Sequence, residues 1–329
     1  MEKGLVNILT PAYNCSSLIT RLLDSVLEQT YPNIEMFVVD DGSTDDTANV
    51  VKSYINKFLD RGYKLNYIYQ TNQGQSYAIN NGLKLLNGEY LLWPDSDDWY
   101  KYSFSIEHLV NALNNTDSSI AIARCEYERI NEISLKPDYI SSYKKKYSID
   151  WLFEDALYNR GNLFWEPGGY IIKLSYLDKY ILNREIFVAR DTGQNIQILL
   201  PYFYYSKCVT LHETLFCYLI RKKSHSKGMY AGFERFETRE LCHKSNFLHT
   251  FSTLSDINPK KKQVYLNVIN GRYYKTLFLY ALQNKKYDKA LFYKTEMEKN
   301  GVKASCLEKM YLRYSDNSFV NYYWCPKKN

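Results

Sequence analysis

The chain has 329 residues, 45% of them hydrophobic and 24% charged, with a net charge of +6. These are globular values; they exclude a disordered polar chain and leave room for one large domain or two ordinary ones. The positive surplus is mild, and its cations fall in short clusters (Lys144 to Lys146, Arg221 to Lys223, Lys260 to Lys262), a pattern that suits an acidic small molecule or an anionic membrane surface better than sequence-specific nucleic acid.

Seven cysteines show no Cys-x-x-Cys and no zinc-like pairing with the five histidines. An odd count without a framework predicts a reducing compartment. The opening Met-Glu-Lys-Gly runs at once into a strand-like stretch, and no run of apolar residues is long enough to span a bilayer. The expectation is a cytoplasmic protein without signal peptide or spanning helix.

In chain order, Leu5 to Thr10 reads as a buried strand stopped by Pro11. Residues 18, 19, 22, 23, 26 and 27 are apolar, one face of a helix over Ser16 to Gln29. Glu35 to Val39 is a second strand, followed by a helix to about Leu59 with Val50, Val51, Tyr54, Ile55 and Phe58 inward. Leu65 to Tyr69 is a third strand, leading through Gln70 to Ser76 into a short helix that ends near Gly88. A fourth strand, from Tyr90, ends in Asp95-Ser96-Asp97-Asp98, three carboxylates within four residues. Alternating strand and helix predict an α/β fold with a doubly wound, mostly parallel sheet.

In such a sheet ligands bind outside the carboxyl ends of the strands. Those ends carry Pro11-Ala12-Tyr13-Asn14, Asp40-Asp41-Gly42-Ser43, Asn72-Gln73-Gly74 and Asp95-Ser96-Asp97-Asp98. Each suits a ribose, a base edge or a hard cation, since paired carboxylates repel unless a cation joins them. No Gly-x-Gly-x-x-Gly and no Gly-Lys-Ser/Thr follows the first strand, so neither a dinucleotide fold nor a Walker ATPase is supported.

The second half reads less regularly: a helix through Leu113, a strand over Ser119 to Arg124, and a short helix near Trp151 to Tyr158. Gly161 to Tyr170 is a loop rich in aromatic residues and glycine; it fits a sugar platform or core packing beside a tight turn, so Trp165, Gly168 and Gly169 are acceptor-binding candidates, with Trp99 another. Asp191 precedes a helix with Ile196, Leu199, Leu200 and Phe203 inward. A strand over Phe216 to Ile220 leads to Arg221-Lys-Lys-Ser224-His225-Ser226, which reads as a grip on a diphosphate or as a basic surface turn. Residues 233–250, 260–283 and 287–299 have helical periodicity, with Val264, Val268, Leu277 and Leu282 inward; Asn284-Lys-Lys joins the last two as a hairpin. The aromatic, basic tail Phe319 to Lys328 suits lipid headgroups or docking on the protein's own body.

Pro11-Ala-Tyr-Asn14, Asp40-Asp-Gly-Ser-Thr-Asp45, Asn72-Gln-Gly74 and Asp95-Ser-Asp-Asp-Trp99 resemble, in order and spacing, the large family 2 of inverting glycosyltransferases with the GT-A fold. The resemblance implies a GT-A domain over residues 1–230, with a nucleotide-sugar half at 1–104 and an acceptor half at 105–230, and a helical extension over 231–329. It implies that Pro11, Ala12 and Tyr13 border the nucleotide base, with Tyr13 stacked on it, and that Asp41 accepts from the uracil ring. Asn72, Gly74, Ser96 and Asp95 would complete the donor site, with Asp95 near ribose and metal. Asp97 would hold Mn2+ or Mg2+ on the diphosphate. Asp191 falls at the family's catalytic base, with Glu166 as second choice. Arg221, Ser224 and Ser226 would meet the leaving phosphates, and His225 is a further metal candidate.

Two departures stand out: Ile79 occupies a position where the family often has Arg, and Arg190 replaces the Glu before the base, where a cation lowers a carboxylate's pKa. The implied activity is inverting, metal-dependent transfer from a UDP-sugar to a hydroxyl of a glycan acceptor, lipid-linked and part of capsule, exopolysaccharide or other surface-glycan assembly. Transfer to a glycoprotein glycan, or a nucleotide-binding scaffold without turnover, are the alternatives. The acids at the strand ends argue against nucleic acid. Expected associations are the inner face of the membrane and self-association through the C-terminal helices.

Overall fold

The computed structural model describes residues 1–140, 147–161, 163–188, 193–221 and 232–313. The predicted alternation is present in the first hundred residues as β1 (Glu2–Ala12), α1 (Ile19–Leu27), β2 (Ile34–Asp41), α2 (Thr47–Ser53), α3 (Ile55–Asp60), β3 (Lys64–Gln70), α4 (Gln75–Leu83) and β4 (Gly88–Leu92). These four strands lie parallel in the order β3-β2-β1-β4. From Leu5 onward β1 has almost no exposed residue, as a parallel strand covered on both faces requires. Pro11 does not stop β1; it stays in register opposite Val39, one residue from the end. The helix expected up to Leu59 is two helices meeting at Tyr54. That break turns Tyr54 and Phe58 inward and leaves Ile55 exposed, where continuous periodicity had placed it inside.

The chain continues through β5 (Trp99–Tyr100), α5 (Ser105–Asn114), β6 (Ile122–Asn131), β7 (Pro137–Ile140), β8 (Tyr147–Asp150) and α6 (Phe153–Tyr158). A 3-10 turn (Pro167–Gly169), β9 (Tyr170–Lys173), α7 (Leu174–Tyr180), α8 (Asn195–Tyr205) and β10 (Cys208–Ile220) follow. The sheet extends from β4 as β9-β6-β10-β5; β9 runs antiparallel to both neighbours, while β6 and β10 are parallel. β6 and β10 are much longer than the segments expected at 119–124 and 216–220. Buried polar residues conceal them: Arg124 donates to Thr210 at 2.9 Å, Glu126 meets His212 at 3.2 Å, and Glu128 pairs with Lys101 at 2.8 Å. Each buried charge has a hydrogen-bond partner, as burial demands, but together they interrupt the apolar run that marks a strand.

By its internal packing the chain divides into two units, Met1–Phe153 with Gly161–Lys222, and Glu154–Arg160 with Lys223–Asn329. Within the second, α9 (Phe233–Ser252), α10 (Pro259–Gln283), α11 (Tyr287–Lys299) and α12 (Cys306–Arg313) enclose Phe233, Phe236, Phe278, Leu282, Tyr293 and Met297. Asn258 caps α10 through the amide of Lys260 at 3.0 Å, and Pro259 occupies the first turn, where its missing N–H costs nothing. Val264 is exposed and Val268 only half-buried, contrary to expectation, because Tyr265 and Ile269 one position on take the inward face. No helix among the described residues is long and apolar enough to cross a membrane.

The 3-10 turn before β9 is held by a close approach. A Cβ on Gly168 would fall 2.1 Å from Cζ of Phe216, a fully buried ring packed edge-on against Tyr100. Gly168→Ala is therefore expected to destabilise the protein by about 1–3 kcal/mol in urea unfolding; an unchanged midpoint would show that Phe216 has room to yield.

Candidate active site

The four parallel strands end at Ala12, Asp41, Gln70 and Leu92, so their following loops share one edge of the sheet. Side chains knit those loops together. Asn14, in the left-handed region at φ 47°, accepts the amide of Thr44 at 2.8 Å, and its own N–H donates to Ser43 Oγ at 2.9 Å. Asp40 accepts Ser43 N–H at 2.8 Å and the Tyr67 hydroxyl at 2.6 Å. Asp45 is partly desolvated, but hydrogen bonds from Thr47 and Ser16 prevail and hold its pKa down at about 2.

Asp41 is 4% exposed, and both its oxygens are engaged. Oδ1 accepts Gln70 Nε2 at 2.7 Å and Gln73 N–H at 2.9 Å, while Oδ2 accepts Gly74 N–H at 2.7 Å. The carboxylate that the resemblance assigns to a base edge thus organises the turn after β3. Gly42 completes this arrangement: it sits at φ 77°, and a Cβ there would lie 2.7 Å from the amide of Asn72, whose side chain donates to Asp41 O at 2.8 Å. Gly74 is also at positive φ, with open space where a Cβ would stand. Pro11 and Ala12 are buried beneath this edge, and Tyr13 presents its ring at 53% exposure.

The turn after β4 concentrates negative charge. Asp95, Ser96 and Asp97 are half-buried and Asp98 fully buried. Burial, and then the Asp97 charge, push the Asp95 pKa up to about 7 against a hydrogen bond from Gln75 Nε2 at 2.9 Å. Asp98 is raised well above the ordinary carboxylate range by burial, then by Asp97 and Asp95. Its Oδ1 accepts Leu219 N–H at 2.9 Å, and among the described residues its Oδ2 has no hydrogen-bond partner. Among the described residues the cluster is ion-paired by Arg221, whose Nε lies 2.6 Å from Asp97 Oδ2, as a charge contact whose N–H is not aligned for a hydrogen bond. Among the described residues no group of three or more His, Cys, Asp or Glu side chains has the spacing to hold a metal ion.

Glu166 faces the same cluster. Its charge reaches Asp95 and Asp98, and burial raises its own pKa against hydrogen bonds from the local backbone. The preceding Trp165 is fixed through its carbonyl, which accepts Asn195 Nδ2 at 2.9 Å; Asn195 Oδ1 accepts the Trp93 indole at 3.3 Å. One side chain at the start of α8 therefore ties the residue before Glu166 to the β4 turn. Sequence reasoning missed Asn195, Gln75 and Tyr218. The Tyr218 hydroxyl is raised by burial and by the charges of Asp98, Glu166, Asp95 and Asp97, so it stays protonated as a donor. Strand parity gave no signal for it, since Tyr218 stands three residues before Arg221 and an odd step along a strand changes face.

Other candidates are placed differently. Trp99 packs on Ile130, Cys217 and Leu219, with the Arg21 guanidinium 5.5 Å from its ring. Gly168 and Gly169 are buried against Phe216 and Phe164. Ile79 is a core residue of α4, so the position where the family often carries Arg offers no cation here. Its neighbour Asn80 clamps Ile186 through both N–H and C=O at 2.9 Å, and Gln197 clamps Phe187 at 2.6 and 2.8 Å. Those clamps lie just before residues 189–192. Asp191 and Arg190, like Ser224, His225 and Ser226, lie outside the described residues.

The raised Asp95 pKa has a stability consequence. Between the ordinary carboxylate range and about pH 7 the folded chain keeps a proton that the unfolded chain has lost, so rising pH through this window removes stability. Asp95→Asn keeps an oxygen for Gln75 and removes the charge. It is expected to raise the melting temperature at neutral pH and flatten the decline across that window; parallel melting curves for both proteins would contradict the crowding.

The family model described as Glycosyl transferase family 2 matches residues 7–177. An uncharacterized glycosyltransferase of Rickettsia typhi is 41% identical over 146 residues, which span 43% of this chain and 43% of that protein. Among solved structures, S. aureus TarS 1-349 in complex with UDP-GlcNAc superposes with a TM-score of 0.62 at 17% identity, over 94% of this chain and 92% of that one. A mannosyltransferase from Pyrobaculum calidifontis in complex with GDP-Man and Mn2+ gives a TM-score of 0.55 at 15% identity, over 98% and 82%. The sheet, its polar carboxyl edge and the helical C-terminal part are those of a GT-A fold, and the chain belongs to glycosyl transferase family 2.

Proposed function

We propose that the protein is an inverting, metal-dependent glycosyltransferase that moves a sugar from a UDP-sugar to a hydroxyl of a glycan acceptor in cell-surface glycan assembly. The observation that carries this reading is the crowded acidic turn after β4. Burial and then the Asp97 charge lift the Asp95 pKa to about 7, and among the described residues Arg221 is the cation paired with this turn. Such a cluster fits a divalent cation brought with a diphosphate, whose phosphate oxygens would complete the ligand set. The TarS and Pyrobaculum structures contain a UDP-sugar and a GDP-sugar with Mn2+, respectively, which supports a nucleotide-sugar donor.

In this reading Asp97, with Asp95, holds Mn2+ or Mg2+. The bound cation acts as a Lewis acid on the leaving diphosphate. Tyr13 covers the base, and the turn fixed by Asp41 shapes the wall beside it. Arg221, which pairs with Asp97 in this structure, would meet the leaving phosphates. Inversion needs one carboxylate on the opposite side of the anomeric carbon to take the acceptor proton. Asp191 is assigned that role by its place in the chain. Glu166 is a second candidate for a specific reason: burial raises its pKa toward the range where a carboxylate is the stronger base, whereas Arg190 beside Asp191 would act in the opposite direction.

Asp191→Asn is expected to abolish transfer while calorimetry still detects donor binding. Full transfer by Asp191→Asn together with its loss in Glu166→Gln would move the role to Glu166. Asp97→Asn should make donor binding indifferent to Mn2+; a variant whose binding still tightens with Mn2+ would remove Asp97 as the ligand.

A further inference from the structure

The second unit is charged unlike the first. Residues 154–160 and 223–329 hold twenty-one lysines and arginines against eleven aspartates and glutamates, so the remaining 215 residues carry a net −4 in a chain of +6. Three of these cations stand where local energetics disfavour them. Lys260, Lys261 and Lys262 occupy the first turn of α10, against the positive end of the helix dipole and with no acid beside them in that turn.

From there one face of α10 runs Lys261, Val264, Val268, Arg272, at steps of three and four residues. Val264 is 52% exposed. An open groove of about 390 Å³ lies along this face, bounded by Tyr158, Val264, Val268, Arg272, Gly301 and Val302. Arg272 is fixed there by donating to the carbonyls of Ala156 and Leu157 at 2.7 and 2.9 Å. Beyond Val302 the chain passes through exposed Lys303 into α12, where Leu307 and Met310, one turn apart, are 55% and 46% exposed next to Lys309 and Arg313.

We propose that this groove and the exposed side of α12 dock the helical unit on an anionic lipid bilayer. Val264, Leu307 and Met310 enter the boundary between headgroups and acyl chains, while the lysines reach lipid phosphates along their own methylene stems. Charge decides among occupants. A second copy meeting through the same face would set cation against cation, and a nucleic-acid backbone offers exposed Val, Leu and Met nothing apolar. The proposal goes beyond the transfer reaction and does not depend on the donor chemistry.

The test is cosedimentation of the full chain with vesicles of phosphatidylcholine alone or enriched in phosphatidylglycerol. Binding is expected only to the anionic vesicles and should weaken with added salt. The triple substitution Lys260→Gln, Lys261→Gln and Lys262→Gln should weaken vesicle binding by roughly fivefold per lysine. The same variant should melt at a higher temperature, because the dipole conflict is relieved. Leu307→Glu with Met310→Glu should abolish binding while leaving metal-dependent hydrolysis of UDP-sugar unchanged, so failure here is separable from failure of the transferase reading. Equal binding to both vesicle types, or variants that bind as the parent does, would overturn the proposal. So would a dimer in light scattering that is lost in Leu307→Glu with Met310→Glu while no vesicle binding is seen.

Discussion

Carboxylate crowding at the carboxyl end of β4 is the constraint around which the first unit is arranged. Two acids half-buried or buried at that edge, Asp95 and Asp98, have pKa values displaced upward, and neighbouring elements contribute the groups that contain them. α4 supplies Gln75, β10 supplies the amide of Leu219 and then Arg221, and α8 supplies Asn195 to lock the adjoining Trp93. A well-packed interior would have replaced such a cluster with apolar side chains at lower cost. Its retention is intelligible when the missing counter-charge arrives with a ligand, and the family membership of the chain agrees with that reading.

The same constraint explains why long-range side-chain amides recur in this unit. Asn80 and Gln197 each clamp one residue of the segment before 189–192 through both of its backbone groups, and Asn195 holds the carbonyl before Glu166. Planar amides with a donor and an acceptor can satisfy loop backbone that enters no ladder, without adding charge to an already acidic region.

Much of this was legible in the sequence. β1 to β4 and their polar ends follow from short apolar runs interrupted by Asp, Asn and Gly, and three of the four helices of the second unit from their periodicity, while the short α12 was not read. β6 and β10 were truncated because Arg124, Glu126, Glu128 and Thr210 pair across the sheet, and no single segment shows that each charge has its partner. Tyr218, Gln75 and Asn195 were invisible for a related reason: their roles depend on residues far away in the chain. Asp41 was picked out by its motif, but its hydrogen bonds to the 70–74 turn emerge only when β2 and β3 are paired. The charge contrast between the two halves could have been counted from the start; Val264 on the outer face of α10 could not, since Tyr265 competes for the inward position with the same periodicity.

The central claim is that the acidic turn becomes a complete site only with a cation and a diphosphate. Thermal-shift measurement of the native protein against a panel of nucleotides and nucleotide sugars, with and without Mn2+, tests it most directly. The account predicts a shift with uridine diphosphate compounds that requires Mn2+, and little from either component alone. Equal stabilisation by UDP in the presence and absence of Mn2+ and Mg2+ would contradict it.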